Sequence, residues 1–595
     1  MRSAARSAAA TRLALRVSIA ALTLLLSAAS CDPGGALGPR VGVSVLPASI
    51  DVEPGASVAV SVRVTRDGVT GPVEIATLSA PSGVSMDAVI VPADATSVPA
   101  TVRASATAAL GDGTLRLEAR AGAALASATV AVRVAPPVAT VTGAEVIGTG
   151  GSRQVRQGGG GVTLRVSGTG LGQVVAATIG GVPATLGALG DGTLDLAVSV
   201  LHGAATGPRT LVLIDGFDRA TSLADALVVT PIRADPSGDD VAGRGTDDAP
   251  YRTLTRALAL AAAGDEVLLG AGTYAASDGE DWPTATGAQE IASLTFTNVP
   301  DGVAVRGVGR DQVVLQGPFP GDPDTGAVAL AFADGGAVAR LTLRGFSRGV
   351  AANEGSVRLD DVLVDEIASS GVAVSAAGRA DVRVEGSSLV PSVSGSAGAI
   401  AYGGARLTLV DTTVMGGGGN DGGILVRQGA EVLVQRGSVQ IAFPLVVIDE
   451  AVARVEDALL TSSGDDGYAV WALDASVVEL HDATVTSGFA GVVFGGRVLV
   501  MRGTSVTGSP VVALAITGDP LRIDLGTDLA PGGNTLSGAT QYQLSDVRDA
   551  DRTTVITLSD TVLGAGVPPA ELVNGPATRP GVLFIENEGN KVRFY

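Results

Sequence analysis

From about Asp235 onward the chain repeats itself, and that repeat limits what it can fold into. One stretch reads Ile400-Ala-Tyr followed by Leu407-Thr-Leu-Val-Asp411-Thr-Thr-Val. Another reads Val470-Trp-Ala followed by Val478-Glu-Leu-His-Asp482-Ala-Thr-Val. Each copy alternates apolar and polar residues, turns, alternates again and reaches an Asp or a Gly. Aligning that residue gives the column 361, 386, 411, 437, 457, 482 and 503, with steps of 25, 25, 26, 20, 25 and 21 residues. A period of this length with period-two patterning inside it predicts a β-solenoid, because one rung cannot bury its apolar face without a neighbour stacked on it. Asp and Gly share the column because both tolerate the left-handed backbone of a tight turn. The fixed Leu/Asn pattern of leucine-rich repeats is absent.

The repeats are preceded by a distinct block: Asp235-Pro-Ser-Gly-Asp-Asp, then Ala249-Pro-Tyr-Arg-Thr-Leu, then Gly264-Asp265-Glu-Val-Leu-Leu and Gly272-Thr-Tyr274. Leu254, Ala257, Leu258 and Ala261 fall on one helical face, with Thr253 as cap and Gly264 as terminator. A short helix here would cover the open end of the stacked strands. The block resembles the N-terminal opening of bacterial proteins in the pectin-lyase-like superfamily, where "G-x-D … P-[FY]-[KR]-T-[IL] … A-x-x-G-D-x-[VI] … G-x-Y" recurs in a domain family of unknown function. That resemblance implies a right-handed parallel β-helix over 235–525, with C-terminal rungs and a cap over 526–595.

Between Val41 and Pro136 period-two runs such as Val58-Ala-Val-Ser-Val-Arg-Val64 alternate with turn clusters, which predicts an immunoglobulin-like β-sandwich over 41–136. A second sandwich is predicted over 137–231. Its Val162-Thr-Leu-Arg-Val-Ser-Gly-Thr-Gly-Leu171 and Ala177-Thr-Ile-Gly-Gly-Val-Pro-Ala184 resemble the IPT/TIG immunoglobulin-like fold, whose members act as spacers or interaction domains. The expected fold class is therefore all-β: two sandwiches, then a capped parallel β-helix.

The N-terminus carries Arg2, Arg6, Arg12 and Arg16 without an acid, then an apolar run Val17–Leu26, then small residues up to Cys31. This is the pattern of an export signal over 1–30, too short for a stable membrane span. Cys31 is the only cysteine, and its place resembles the bacterial lipoprotein box, although Ala28 stands where Leu is usual. The resemblance implies lipidation of Cys31 and a Pro/Gly tether over 31–40 that holds the chain on the cell envelope or surface.

A formal charge of −20 argues against nucleic acid as a partner, which needs clustered cations. Calcium is compatible with the many carboxylates, although no residue set is assigned to it. Two clusters combine acids with an aromatic that could stack on a sugar ring: Asp278, Glu280, Asp281 and Trp282; and Asp465, Asp466, Tyr468 and Trp471. For Trp282, covering the end of the core is the favoured alternative. The Asp column could mimic catalytic acids stacked on adjacent rungs, but its exchange with Gly favours a turn role. His202 is expected in a solvated loop. His481 is expected to face outward, at the step occupied by Arg436 and Arg502 in other rungs. The leading expectation is a non-catalytic recognition or structural protein with a polysaccharide or another cell-surface ligand. A polysaccharide lyase or glycoside hydrolase is the alternative. Palmitate labelling of the full chain in a bacterial host should be lost in Cys31→Ser, with release of the protein from the membrane fraction.

Overall fold

The computed structural model describes residues 38–283, 298–318, 326–391, 395–416, 422–464 and 467–518, and separate stretches from 520 to 594. Cys31 and the 1–30 segment lie outside the described residues. Among the described residues the fold is all-β apart from one short α-helix and two 3₁₀ turns.

The first sandwich packs a four-stranded sheet (Arg40–Leu46, Ser57–Asp67, Ser97–Ala104, Val84–Met86) on a five-stranded one (Ser49–Val52, Ala124–Val134, Gly111–Ala121, Val73–Ser79, Val89–Val91). The inward half of each alternating run, such as Val62, Val102, Ile75, Leu115 and Val130, is fully buried between them, as the pleat requires.

The second sandwich contains eight strands between Thr140 and Thr230. Its Ile179-Gly-Gly-Val182 segment is a two-residue hairpin in which Ile179 opposes Val182. Gly180 and Gly181 both have positive φ (58° and 83°), the geometry of a type I′ turn, which only Gly and a few polar residues enter readily.

The repeats form a parallel β-helix of three strands per rung. On face A lie Val372–Ala376, Ala397–Tyr402, Gly422–Arg427, Phe443–Val447, Tyr468–Ala472 and Ala490–Phe494. On face B lie Asp381–Glu385, Arg406–Val410, Glu431–Gln435, Val452–Glu456, Val477–His481 and Val498–Arg502. Face C is a separate sheet of twelve stacked short strands, among them Ser388–Val390 and Thr484–Thr486. The pairings between these rungs are parallel and in register, and an earlier rung shifts by one residue between Asp334 and Gly336. Interior side chains therefore stand in ladders: Val374, Ala399, Ile424, Leu445, Val470 and Val492 on face A, and Val364, Leu389, Val414, Val439, Leu460 and Val485 on face C. All but Val439, at 1%, are fully inaccessible.

The turn between faces B and C is the Asp/Gly column, with one correction. Gln435 opposes Glu456, so Arg436 and not Gly437 occupies the column, and the steps become 25, 25, 25, 21, 25 and 21. Asp361, Gly386, Asp411, Arg436, Asp457, Asp482 and Gly503 all have φ between +49° and +58°. Holding a long side chain in that region costs about 1 kcal/mol. Arg436 offsets this by a two-pronged bond to Asp411 in the preceding rung, at 2.9 and 2.8 Å.

The N-terminal end of the helix is closed by the predicted block, although the α-helix is only Leu254–Leu258. Leu254, Ala257 and Leu258 are buried and Thr253 caps the start by accepting from Arg256 N. The chain then turns through Gly264, which has φ +88°. The second sandwich seats on this end. The Asp265 carboxylate accepts from Ala262 N (2.9 Å) and Gly203 N (2.8 Å) and meets His202 Nδ1 at 2.5 Å. Gln157 accepts from Glu266 N at 2.8 Å and donates to Ala204 O at 2.8 Å. His202 is thus not a free loop residue: it is half-exposed but bonded to a carboxylate that has no exposed surface. Sequence distance hid this, since 63 residues separate the two.

Asp265→Ala leaves two amide donors without their acceptor at this joint. We expect it to destabilise the full chain by about 3 kcal/mol, and His202→Ala by about 1 kcal/mol. Thermal melting of the two variants checks the order.

Candidate functional site

The first acidic cluster is built into the cap. Asp240 accepts from Arg252 N, Thr253 N and Thr253 Oγ1 at 2.8, 3.0 and 2.7 Å. Glu280 accepts from Leu254 N (2.6 Å), Thr255 N (2.9 Å) and Thr255 Oγ1 (2.7 Å). Together these carboxylates satisfy the free amides at the start of the helix. Burial pushes the Glu280 carboxyl above its ordinary value, against the hydrogen bonds from Thr255 and Leu254. Trp282 is buried, stands edge-on to Phe346 at 5.2 Å between ring centres, and donates Nε1–H to Gln316 O at 3.1 Å. Only Asp278 and Asp281 of this cluster reach solvent. The loop's Glu and most of its Trp are thus packed into the fold, although Asp281 and an edge of Trp282 still border an open pocket of about 360 Å³ beside the helix.

The second cluster has a different setting. Asp465 and Asp466 lie outside the described residues. Tyr468 and Trp471 are half-buried on the outer side of face A, where side chains of one strand alternate away from the interior ladder. Their rings lie 5.8 Å apart, and Tyr468 also meets Phe443 at 6.3 Å and Phe489 at 5.9 Å. Phe443 and Phe489 are missed by a search for acids beside aromatics. They are found only by following the outward column.

That column explains the shape. Val372, Ala397, Gly422 and Phe443 are successive register partners, and a parallel column runs Ser375, Ile400, Leu425, Val446 and Trp471. Small residues in the earlier rungs followed by large rings leave an open groove of about 280 Å³. Gly371, Ser396 and Ala397 line one part of it, Ile400 and Leu425 another, and Phe443 and Trp471 stand at its end. None of the described residues that line it is acidic.

Several arginines of face B are paired with carboxylates. Arg358 and Arg383 oppose each other on adjacent rungs and both contact Glu385, at 3.2 and 3.3 Å. Arg406 grips Glu431 at 3.0 and 2.8 Å. His481 opposes Arg502, as expected, but on the other side its partner is Glu456, one residue off the Arg436 step. The acids at 361, 411, 457 and 482 are the left-handed turn residues described above. Among the described residues no group of three or more His, Cys, Asp or Glu is placed to hold a metal ion.

Residues 236–309 match the model of a family described as "Protein of unknown function (DUF1565)". In this chain that block is the closure of the β-helix: Asp240, Glu280 and Asp265 each hold backbone amides, and the buried Tyr274 hydroxyl donates to Ala234 O or Gly270 O at 3.0 and 3.1 Å. No curated protein matches the chain. Among solved structures, the titin domains z1z2 in complex with telethonin align at 17% identity, over 32% of this chain and 96% of that one, with a TM-score of 0.15. The titin I-band fragment I67–I69 aligns at 13% identity over 33% of this chain and 70% of that one, with a TM-score of 0.17. A Bacteroides ovatus mixed-linkage glucan utilization protein, solved with a mixed-linkage heptasaccharide, aligns at 19% identity with a TM-score of 0.13. The alignment covers 31% of this chain and 43% of the glucan protein, less than half its length. At TM-scores this low the alignments carry no argument about this chain.

Glu280→Ala strips the acceptor from three donors and should destabilise the cap by about 3 kcal/mol. Trp471→Ala, on an outer face, should cost about 1 kcal/mol or less. Chemical denaturation of both variants tests the contrast between a cap residue and a surface residue.

Proposed function

We propose that this chain is an exported, lipid-anchored surface protein whose β-helix recognises carbohydrate without cleaving it. The observation that carries the reading is the face A groove, where Phe443 and Trp471 stand at one end of a floor of small and aliphatic side chains and Tyr468 packs against both rings. Pyranose rings have an apolar face that packs on aromatic rings, and Trp and Tyr give that contact at little entropic cost. The export signal and Cys31 supply the anchor, and two acyl chains hold a protein stably where one does not. The two sandwiches, the second read as an IPT/TIG-like module, raise the β-helix away from the membrane.

Immobilised glycans probed with the full chain test this. Trp471→Ala and Tyr468→Ala should each weaken binding at least tenfold while the melting temperature stays close to that of the parent. Release of reducing or unsaturated ends from any bound polymer would instead favour a lyase or hydrolase.

A further inference from the structure

One cation stands a rung beyond the residues that line the groove. Arg348 lies in the same outward column as its floor, opposite Val372 in register and one rung before it. Val372 lines the groove and packs with Ile400 and Tyr402. From the Arg348 rung to the Phe443 rung is four steps of the coil, about 19 Å at ordinary strand spacing.

Arg348 is 7% exposed. Its Nη1 finds no hydrogen-bond partner, and no carboxylate pairs with it among the described residues. A guanidinium stays protonated even so, and a buried charge without a counter-ion is costly. Burial indeed holds its pKa below the ordinary value, with the Tyr402 hydroxyl the one ionisable group nearby that acts on it. The contrast with Arg358, Arg383 and Arg406 is direct: those sit on face B, half-exposed or more, and each has a carboxylate. Arg348 stands instead one rung before a groove whose described lining residues include no acid.

We propose that the groove takes an anionic glycan, with Arg348 receiving a carboxylate or sulfate group at one end and Trp471 and Tyr468 packing sugar rings at the other. This rests on the carbohydrate reading of the same groove and adds the charge of the ligand. A fork of donors presented by arginine matches a planar carboxylate or a sulfate edge. The ligand's anion would supply the counter-charge that the fold withholds, and binding would relieve a cost carried by the free protein.

The test uses the full chain and two matched pairs: polygalacturonate with its methyl ester, and dextran sulfate with dextran. Within each pair the backbone is kept and the charge removed. We expect at least one charged polymer to retard the protein in affinity electrophoresis, with its neutral partner at least tenfold weaker. The pair that responds identifies carboxylate or sulfate. Arg348→Met should weaken that binding at least tenfold while melting no lower than the parent, because it removes an uncompensated charge. Arg348→Lys, which keeps the charge without the fork, should fall between the two, and Arg383→Gln should bind like the parent. Undiminished binding by Arg348→Met overturns the proposal, and so does a marked fall in its melting temperature, which would make Arg348 a structural residue. If neutral polymers bind as well as charged ones, and through Trp471, the groove stands and the anion falls. If no polymer binds, both readings fall.

Discussion

Every feature of the β-helix depends on parallel strands stacking in register about 4.8 Å apart. Register makes like positions neighbours. A Val in one rung therefore meets a Val, Leu or Ile in the next, and the interior becomes a set of aliphatic ladders running the length of the coil. Chains of small aliphatics suit this because each interior position has the same narrow space as the one above it. Only a few large side chains interrupt them, such as Phe332, Phe346 and Phe494. The same rule acts outside. A residue facing outward is placed beside its equivalents in neighbouring rungs, so ion pairs, aromatic clusters and grooves arise from columns of the repeat.

Stacking creates two problems that this chain solves locally. The coil must bend between faces B and C within two residues, and from Arg340 to Gly503 it does so with a left-handed residue in each rung. The ends must be closed, since an open edge offers unpaired amides and apolar side chains to another chain. At the N-terminal end three carboxylates, Asp240, Asp265 and Glu280, take up free backbone amides, and the second sandwich bonds to one of them. The block shared with a family of unknown function is thus an end cap in this protein, with Asp240, Asp265, Glu280 and Tyr274 spent on backbone groups.

The groove on face A is a departure from uniformity in an otherwise regular coil. Gly and Ala in successive rungs lower the surface, then Phe443, Tyr468 and Trp471 raise it. Arg348 departs in another way, as a buried cation that no carboxylate pairs with among the described residues. Such departures have a cost, and in a repeat any rung could have carried a neutral small residue instead. That is the physical reason for looking for a ligand here and not at the paired arginines of face B.

The sequence alone determined the all-β class, the solenoid period, the turn column and the helix that starts the coil, because these depend on local alternation and on backbone preferences of Asp and Gly. It misplaced one column residue, since Arg436 enters the left-handed region only with Asp411 one rung away to hold it. It also could not separate two clusters of similar composition. Glu280 and Trp282 became cap and core, whereas Tyr468 and Trp471 became an outer face. That division rests on what lies against each side chain from other rungs, as do the His202–Asp265 contact and the isolation of Arg348. Contacts between residues tens of positions apart have no local signature, so only the tertiary structure decided which polar and aromatic residues hold the fold and which are left to meet something else.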